Sequence, residues 1–203
     1  MTTRRPYIVG LGGTTNPHSC TEQYLRIALN AAAAAGATTK LLGAAALRVP
    51  TYEYGVAPDD AATQLVQELR RADGIILASP AYHGSVSGLV KNALDYAEDT
   101  SRDERPYLSG RAVGCMAVAA GWQAAVSTLA ALRGIVHALR GWPTPLGIAI
   151  NSSESPINGE GWCNAASVST QIDVMVRQVV EFALLNRVQA FNHPEPQCST
   201  LTR

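Results

Sequence analysis

The stretch from Gly74 to Glu98, GIILASPAYHGSVSGLVKNALDYAE, constrains the fold more than any other part of the chain. Its first six residues, Gly74-Ile75-Ile76-Leu77-Ala78-Ser79, form an apolar run without alternation, bounded by Asp73 and Pro80. A strand with one wet face alternates apolar with polar residues. An unbroken run suits a parallel strand covered by helices on both faces. Leu89, Val90, Ala93, Leu94 and Ala97 then recur at the spacing of one helix face, with Lys91, Asn92, Asp95 and Glu98 outside that stripe. Ser85 and Ser87 are both candidate N-caps. Between strand and helix, Pro80-Ala81-Tyr82-His83-Gly84-Ser85 is expected to form a loop at the carboxyl edge of a central strand, where open α/β sheets bind ligands.

The same strand-then-helix pattern recurs along the chain. Tyr7–Leu11, Thr38–Leu42, Ala112–Val118 and Thr144–Ile150 read as further strands. Helices are expected over about Glu22–Ala35, Asp59–Ala72, Ala124–Leu139 and Ala165–Leu185, and Asn192 onward reads as a loose tail. After the first strand comes Gly12-Gly13-Thr14-Thr15-Asn16-Pro17-His18-Ser19-Cys20-Thr21. A hydroxyl-rich turn entering a helix N-terminus is local geometry for holding a phosphate, through free amides and the helix dipole. An ordinary turn capped by Ser19 or Thr21 would read the same way. After the fourth strand, Ala119-Ala120-Gly121-Trp122-Gln123 is expected to converge with the other two loops.

Several chemistries are excluded. A Walker A loop needs Gly-Lys-Ser/Thr, and the first turn holds no lysine. A Rossmann fingerprint starting at Gly10 would need glycine at Thr15 and an acidic residue some 20 positions on, and the alanine-rich stretch through Thr38-Thr39 holds no acid. Gly84-Ser85-Val86-Ser87-Gly88 has valine where a nucleophile elbow has serine. Sixteen basic and sixteen acidic residues cancel, which speaks against nucleic acid or an anionic membrane as partner. Cys20, Cys115, Cys163 and Cys198 are scattered without a Cys-x-x-Cys pair, so neither a zinc site nor a disulfide framework is expected. No apolar stretch reaches the ~20 residues that span a bilayer, nor does the N-terminus read as a signal peptide. A cytoplasmic protein is expected. The length suits one domain over 1–191, with 192–203 as tail.

Ser79-Pro80-x-Tyr82-x-Gly84-Ser85-x-x-Gly88-x-x-Lys91-Asn92-x-x-Asp95-Tyr96 resembles the signature of the NAD(P)H-dependent FMN reductases, a family of flavodoxin-like fold. The resemblance implies a doubly wound five-stranded parallel sheet ordered 2-1-3-4-5. It implies FMN across three loops: Gly13, Thr14, Thr15, Asn16, His18, Ser19, Cys20 and Thr21 at the phosphate; Pro80, Ala81, Tyr82, His83, Gly84 and Ser85 under the isoalloxazine ring; Gly121, Trp122 and Gln123 at its pyrimidine side. NADPH or NADH would supply the hydride, and no catalytic side chain is required. The first turn resembles the family's Gly-Ser-x-Arg phosphate loop but holds no arginine or lysine. Where the family often has asparagine, His83 stands, either near the flavin or as a positional loop residue. Trp122 is bulkier than the family pattern, and either stacks near the ring, narrows access for a nicotinamide, or packs. Tyr52 and Tyr54 either lid the site or lie exposed. A homodimer or homotetramer is implied.

The reading is an NAD(P)H-dependent FMN reductase passing electrons to an acceptor. One alternative is a reductase that keeps its FMN and reduces quinones, azo or nitro compounds or a biosynthetic intermediate. Another is a flavodoxin-like electron carrier. Zero net charge speaks against the carrier, which is usually steered by a charged face, and a carrier gives no reason for Lys91-Asn92.

Overall fold

Every residue from Gly74 to Pro80 is buried, and this run is the middle of a parallel sheet. The computed structural model describes residues 4–16, 19–157 and 165–192. In chain order these form β1 (Tyr7–Gly12), α1 (Cys20–Ala34), β2 (Thr38–Leu42), α2 (Asp60–Arg71), β3 (Gly74–Tyr82) and β4 (Ser85–Val86). Then come α3 (Gly88–Asp95), a 3-10 turn over Tyr96–Thr100, β5 (Ala112–Ala119), α4 (Trp122–Ala138), β6 (Trp142–Pro143), β7 (Ile148–Asn151) and α5 (Ala166–Asn192). The sheet order is β2-β1-β3-β5, with β6 and β7 both paired to the outer side of β5. All these pairings are parallel, and only the short β4 runs antiparallel, against the end of β3.

The apolar residues divide by face, as the pleat requires. Val9, Leu11, Ile75, Leu77, Val113 and Cys115 face one core, closed by Leu65, Val66 and Leu69 of α2, Val90 and Leu94 of α3, and Leu132 and Val136 of α4. Ile8, Ile76, Ala78, Met116 and Val118 face the other, closed by Tyr24, Leu25 and Leu29 of α1 and Ile172, Met175 and Val179 of α5. This is the doubly wound arrangement. Capping follows chemistry: Asp59 accepts from the Ala62 amide at 2.8 Å, and Ser87, rather than Ser85, accepts from the Val90 amide at 3.2 Å.

Three expectations need correction. Of the fifth strand expected over Thr144–Ile150, only Ile148–Ile150 is strand, within β7; β6 precedes the expected range, and the two share the fifth place in the order 2-1-3-4-5. Pro143 and Pro145 have no N–H to give the ladder. Between the pieces, the Thr144 hydroxyl donates to the Leu146 carbonyl at 2.8 Å, and Arg133 donates to the Thr144 carbonyl at 2.7 Å. The last helix runs past Leu185 to Asn192, so the expected tail begins no earlier than residue 193, outside the described residues. Helix α1 starts at Cys20 rather than Glu22. Among the described residues no helix is long and apolar enough to cross a membrane.

One buried cation ties the amino end of β5 to the preceding crossover. Arg111 is only 1% exposed. Its guanidinium donates to the carbonyls of Arg70 and Ala72 at the end of α2, each at 2.9 Å, and to the Tyr107 carbonyl at 2.8 Å. A cation there satisfies orphan carbonyls and complements the helix dipole. Burial pushes its pKa down to about 9, which still leaves it charged at neutral pH. Arg111→Met leaves these carbonyls unpaired and is expected to cost about 3 kcal/mol, read as a lower urea midpoint. An unchanged midpoint would show that water replaces the guanidinium freely.

Candidate functional site

Parallel register brings the carboxyl ends of the strands level. Gly12 lies beside Ala78, Ser79 beside Ala117, and Ala119 beside Asn151. The connections leaving these ends therefore meet on one rim, at the switch point where α1 leaves β1 for one face and α3 leaves β3 for the other.

The first turn is held by close packing. A Cβ on Gly12 would sit 2.1 Å from the Ala78 carbonyl oxygen, so no larger residue fits without parting β1 from β3. The Thr14 hydroxyl accepts from the Asn16 amide at 3.0 Å, and the Asn16 carbonyl accepts from the Ser19 amide at 3.1 Å. Ser19 stands at the N-cap of α1 but makes no side-chain capping bond, although it is only 6% exposed. The amides of Cys20 and Thr21 have no partner among the described residues. The turn thus ends in unsatisfied donors at the positive end of a 15-residue helix. His18, also expected here, lies outside the described residues.

The second connection is not the open loop expected over Pro80–Ser85. Strand β3 continues through Tyr82 and turns back as a two-residue hairpin, with Tyr82 paired to Ser85 and Ala81 to Val86. His83 and Gly84 at its tip have φ of 50° and 84°. Positive φ at both central positions is the type I′ turn, which matches strand twist and favours Asn-Gly. Histidine is among the few other residues that tolerate this region. The base of the hairpin is fixed by Ser79, whose buried hydroxyl accepts from the Ser87 amide at 3.0 Å. Tyr82 stands 50% exposed.

In the third connection, Trp122 and Gln123 belong to the first turn of α4 instead of a loop, with Gly121 as its N-cap. The Ser127 hydroxyl of α4 lies 3.1 Å from the Ala124 carbonyl of its own helix and 3.3 Å from the Gly84 carbonyl at the hairpin tip, between which its one proton is shared. Trp122, 48% exposed, donates its indole N–H to Glu154 at 2.9 Å, and the same carboxylate oxygen accepts from Asn151 at 2.6 Å. Ser152 and Ser153 donate to the carbonyls of Ala119 and Ala120 at 3.1 and 3.2 Å. Tyr24 of α1 donates to the Ser155 carbonyl. The chain after β7 therefore closes a ring of contacts from α4 round to α1. In the sequence it reads only as a polar loop.

The remainder of the signature makes contacts away from the hairpin. Asn92 accepts from the Tyr52 amide and donates to the Pro50 carbonyl, both at 2.8 Å, and Tyr96 donates to the same carbonyl at 3.1 Å. Tyr52 packs edge-on to Tyr96 with ring centroids 5.2 Å apart. Lys91 pairs with Asp95 at 2.5 Å on the helix surface. Asn92 and Tyr96 clamp the segment after β2, so Tyr52 is tied down while Tyr54 is exposed. Two shallow cavities, of about 180 and 270 Å³, lie beside this segment and between α1 and α5, away from the rim.

A doubly wound parallel sheet with an open-donor turn at its switch point and an aromatic-bearing hairpin beside it defines a flavodoxin-like α/β protein. FerB, a flavoenzyme NAD(P)H:(acceptor) oxidoreductase from Paracoccus denitrificans, superposes with a TM-score of 0.72 at 17% identity, covering 89% of this chain and 98% of that one. An oxidoreductase from Corynebacterium diphtheriae gives 0.68 at 17% identity, covering 90% and 99%. At such identities the likeness is one of fold. The sequence profile of the NADPH-dependent FMN reductases matches residues 6–154, and the chain belongs to that family. It is also similar to the FMN-dependent NADPH-azoreductase of Staphylococcus aureus, 32% identical over 120 residues, which are 58% of this chain and 60% of that protein.

The hairpin geometry makes a prediction. His83→Val forces a β-branched residue into positive φ and is expected to lower stability by about 1–2 kcal/mol, whereas His83→Asn leaves it unchanged or higher. Equal urea midpoints for the two variants would mean that the tip is not a type I′ turn.

Proposed function

We propose that this protein is an NAD(P)H-dependent flavin oxidoreductase that holds FMN on the rim just described. The observation that carries the reading is the first turn: buried Ser19 without a capping bond, beside amides of α1 left without partners. A phosphate monoester completes these donors. Gly13, Thr14, Thr15, Asn16, Ser19, Cys20 and Thr21 would hold it, as would His18. Pro80, Ala81, Tyr82, His83, Gly84 and Ser85 would support the ring, and Gly121, Trp122 and Gln123 its far edge. When bound, the flavin supplies the redox chemistry, taking a hydride from NADPH or NADH and passing electrons to an acceptor. The chain's part is to bind, orient and leave one face open. The half-exposed Tyr82 and Trp122 fit that role, and Glu154 fixes the indole.

The relationship to an azoreductase makes azo compounds the first acceptors to test, followed by quinones and free FMN. A homodimer or homotetramer is part of the same proposal, with Tyr82 and Trp122 left to the flavin. So is a cytoplasmic location, and zero net charge speaks against nucleic acid or an anionic membrane as partner.

The purified protein is expected to bind FMN and oxidise NADPH or NADH with one of these acceptors. Flavin reducible only by a partner protein would make it a carrier, and no flavin binding at all would overturn the proposal. Within the site, Ser19→Ala is expected to leave stability nearly unchanged, short of the ~1 kcal/mol of a working N-cap, while weakening FMN. Ser19→Asp sets a carboxylate against the phosphate and is expected to weaken FMN by about a hundredfold, roughly 3 kcal/mol. Unchanged affinity in both variants would remove Ser19 from the site.

A further inference from the structure

We infer that Arg48 is the cationic partner of a phosphate monoester bound at the first turn. The inference rests on the proposed phosphate site and adds to it the charge that the turn itself lacks. No arginine or lysine stands between Gly12 and Thr21. A dianion held by amides and hydroxyls alone keeps its charge largely uncompensated, and a guanidinium is the side chain best shaped to meet phosphate oxygens.

Arg48 is 33 positions away in sequence from Thr15, yet its Nη2 lies 3.5 Å from the Thr15 carbonyl. Packing puts it there. Strands β1 and β2 run in parallel register, Leu11 beside Leu42, so their exits emerge side by side. A Cβ on Gly13 would lie 3.2 Å from the Ala44 nitrogen, so the two exits touch. Glu22, in the first turn of α1, accepts from the Ala44 amide at 2.9 Å and fastens the second exit to the helix. Leu47, fully buried, anchors the turn from below. Arg48 follows at once, with its side chain exposed over Thr15.

The guanidinium has charge to spare. Glu22, the acid that fastens the second exit, is already engaged by Arg26 at 2.6 Å and by the Ala44 amide. Among the described residues, no ion pair involves Arg48 and the Thr15 carbonyl is its one hydrogen-bond partner. An arginine that only propped one carbonyl would leave most of its donors to water.

Two phosphate monoesters belong to the proposed reaction: the 5′-phosphate of FMN and the 2′-phosphate of NADPH. The test uses Arg48→Gln and Arg48→Lys in the full-length chain. Dissociation constants for FMN and riboflavin come from flavin fluorescence, and KM values for NADPH and NADH from steady-state turnover. Loss of a charge-assisted bond predicts that Arg48→Gln weakens one phosphate-bearing ligand by about ten- to a hundredfold, leaves its phosphate-free counterpart within about twofold, and that Arg48→Lys recovers part of the loss. A split between FMN and riboflavin identifies the flavin tail; a split between NADPH and NADH identifies the dinucleotide. Because the side chain is exposed, urea midpoints are expected to stay level. If wild type prefers FMN to riboflavin but Arg48→Gln shows neither split, Arg48 is not the partner while the site stands. If wild type itself distinguishes neither pair, the phosphate site falls and the inference with it.

Discussion

The site depends on one close approach, the passage of Gly12 against the Ala78 carbonyl where β1 and β3 finish together. With no side chain between them, the two strands end at the same level. The turn into α1 and the hairpin from β3 then rise from adjacent points. A methyl group there would separate the donors of the first turn from the aromatic hairpin beside them. Burial of β3 on both faces makes the approach possible, since only a central parallel strand is gripped from both sides.

On that frame, hydrogen bonds between neighbouring exits turn separate loops into one rim. Ser79 fixes the base of the hairpin, and Ser127 of α4 lies beside its tip. Glu154, Ser152 and Ser153 tie α4 to the exit of β7, and Tyr24 ties that exit back to α1. Each bond contributes little alone. Together they place hydroxyls, amides and two half-exposed aromatic rings on one edge before any ligand arrives, which reduces the ordering cost of binding.

Much of this was legible in the sequence, and the limits have physical causes. Apolar runs without alternation gave the buried strands, and helical spacing gave the inward face of α3, because burial leaves a periodic trace. The β3 hairpin was missed because His-Gly is a rarer form of the type I′ turn than Asn-Gly. The break between β6 and β7 was missed because prolines in an outer strand are tolerated and mark no exact end. Glu154, Ser152 and Arg48 left no local signal, since each acts on a residue more than thirty positions away. Asn92 shows the opposite case: a residue legible as part of a functional signature whose side chain holds a neighbouring segment in place.

The central claim is that the first turn of α1 receives a phosphate, and the phosphorus nucleus reports on it directly. Free FMN titrates near about pH 6. The account predicts that ³¹P NMR of the FMN complex shows a displaced resonance that does not move between about pH 5 and 8, because the surrounding donors hold the dianion and push its pKa below that range. A bound flavin whose phosphate signal follows the titration of free FMN would place the tail in solvent and contradict the account.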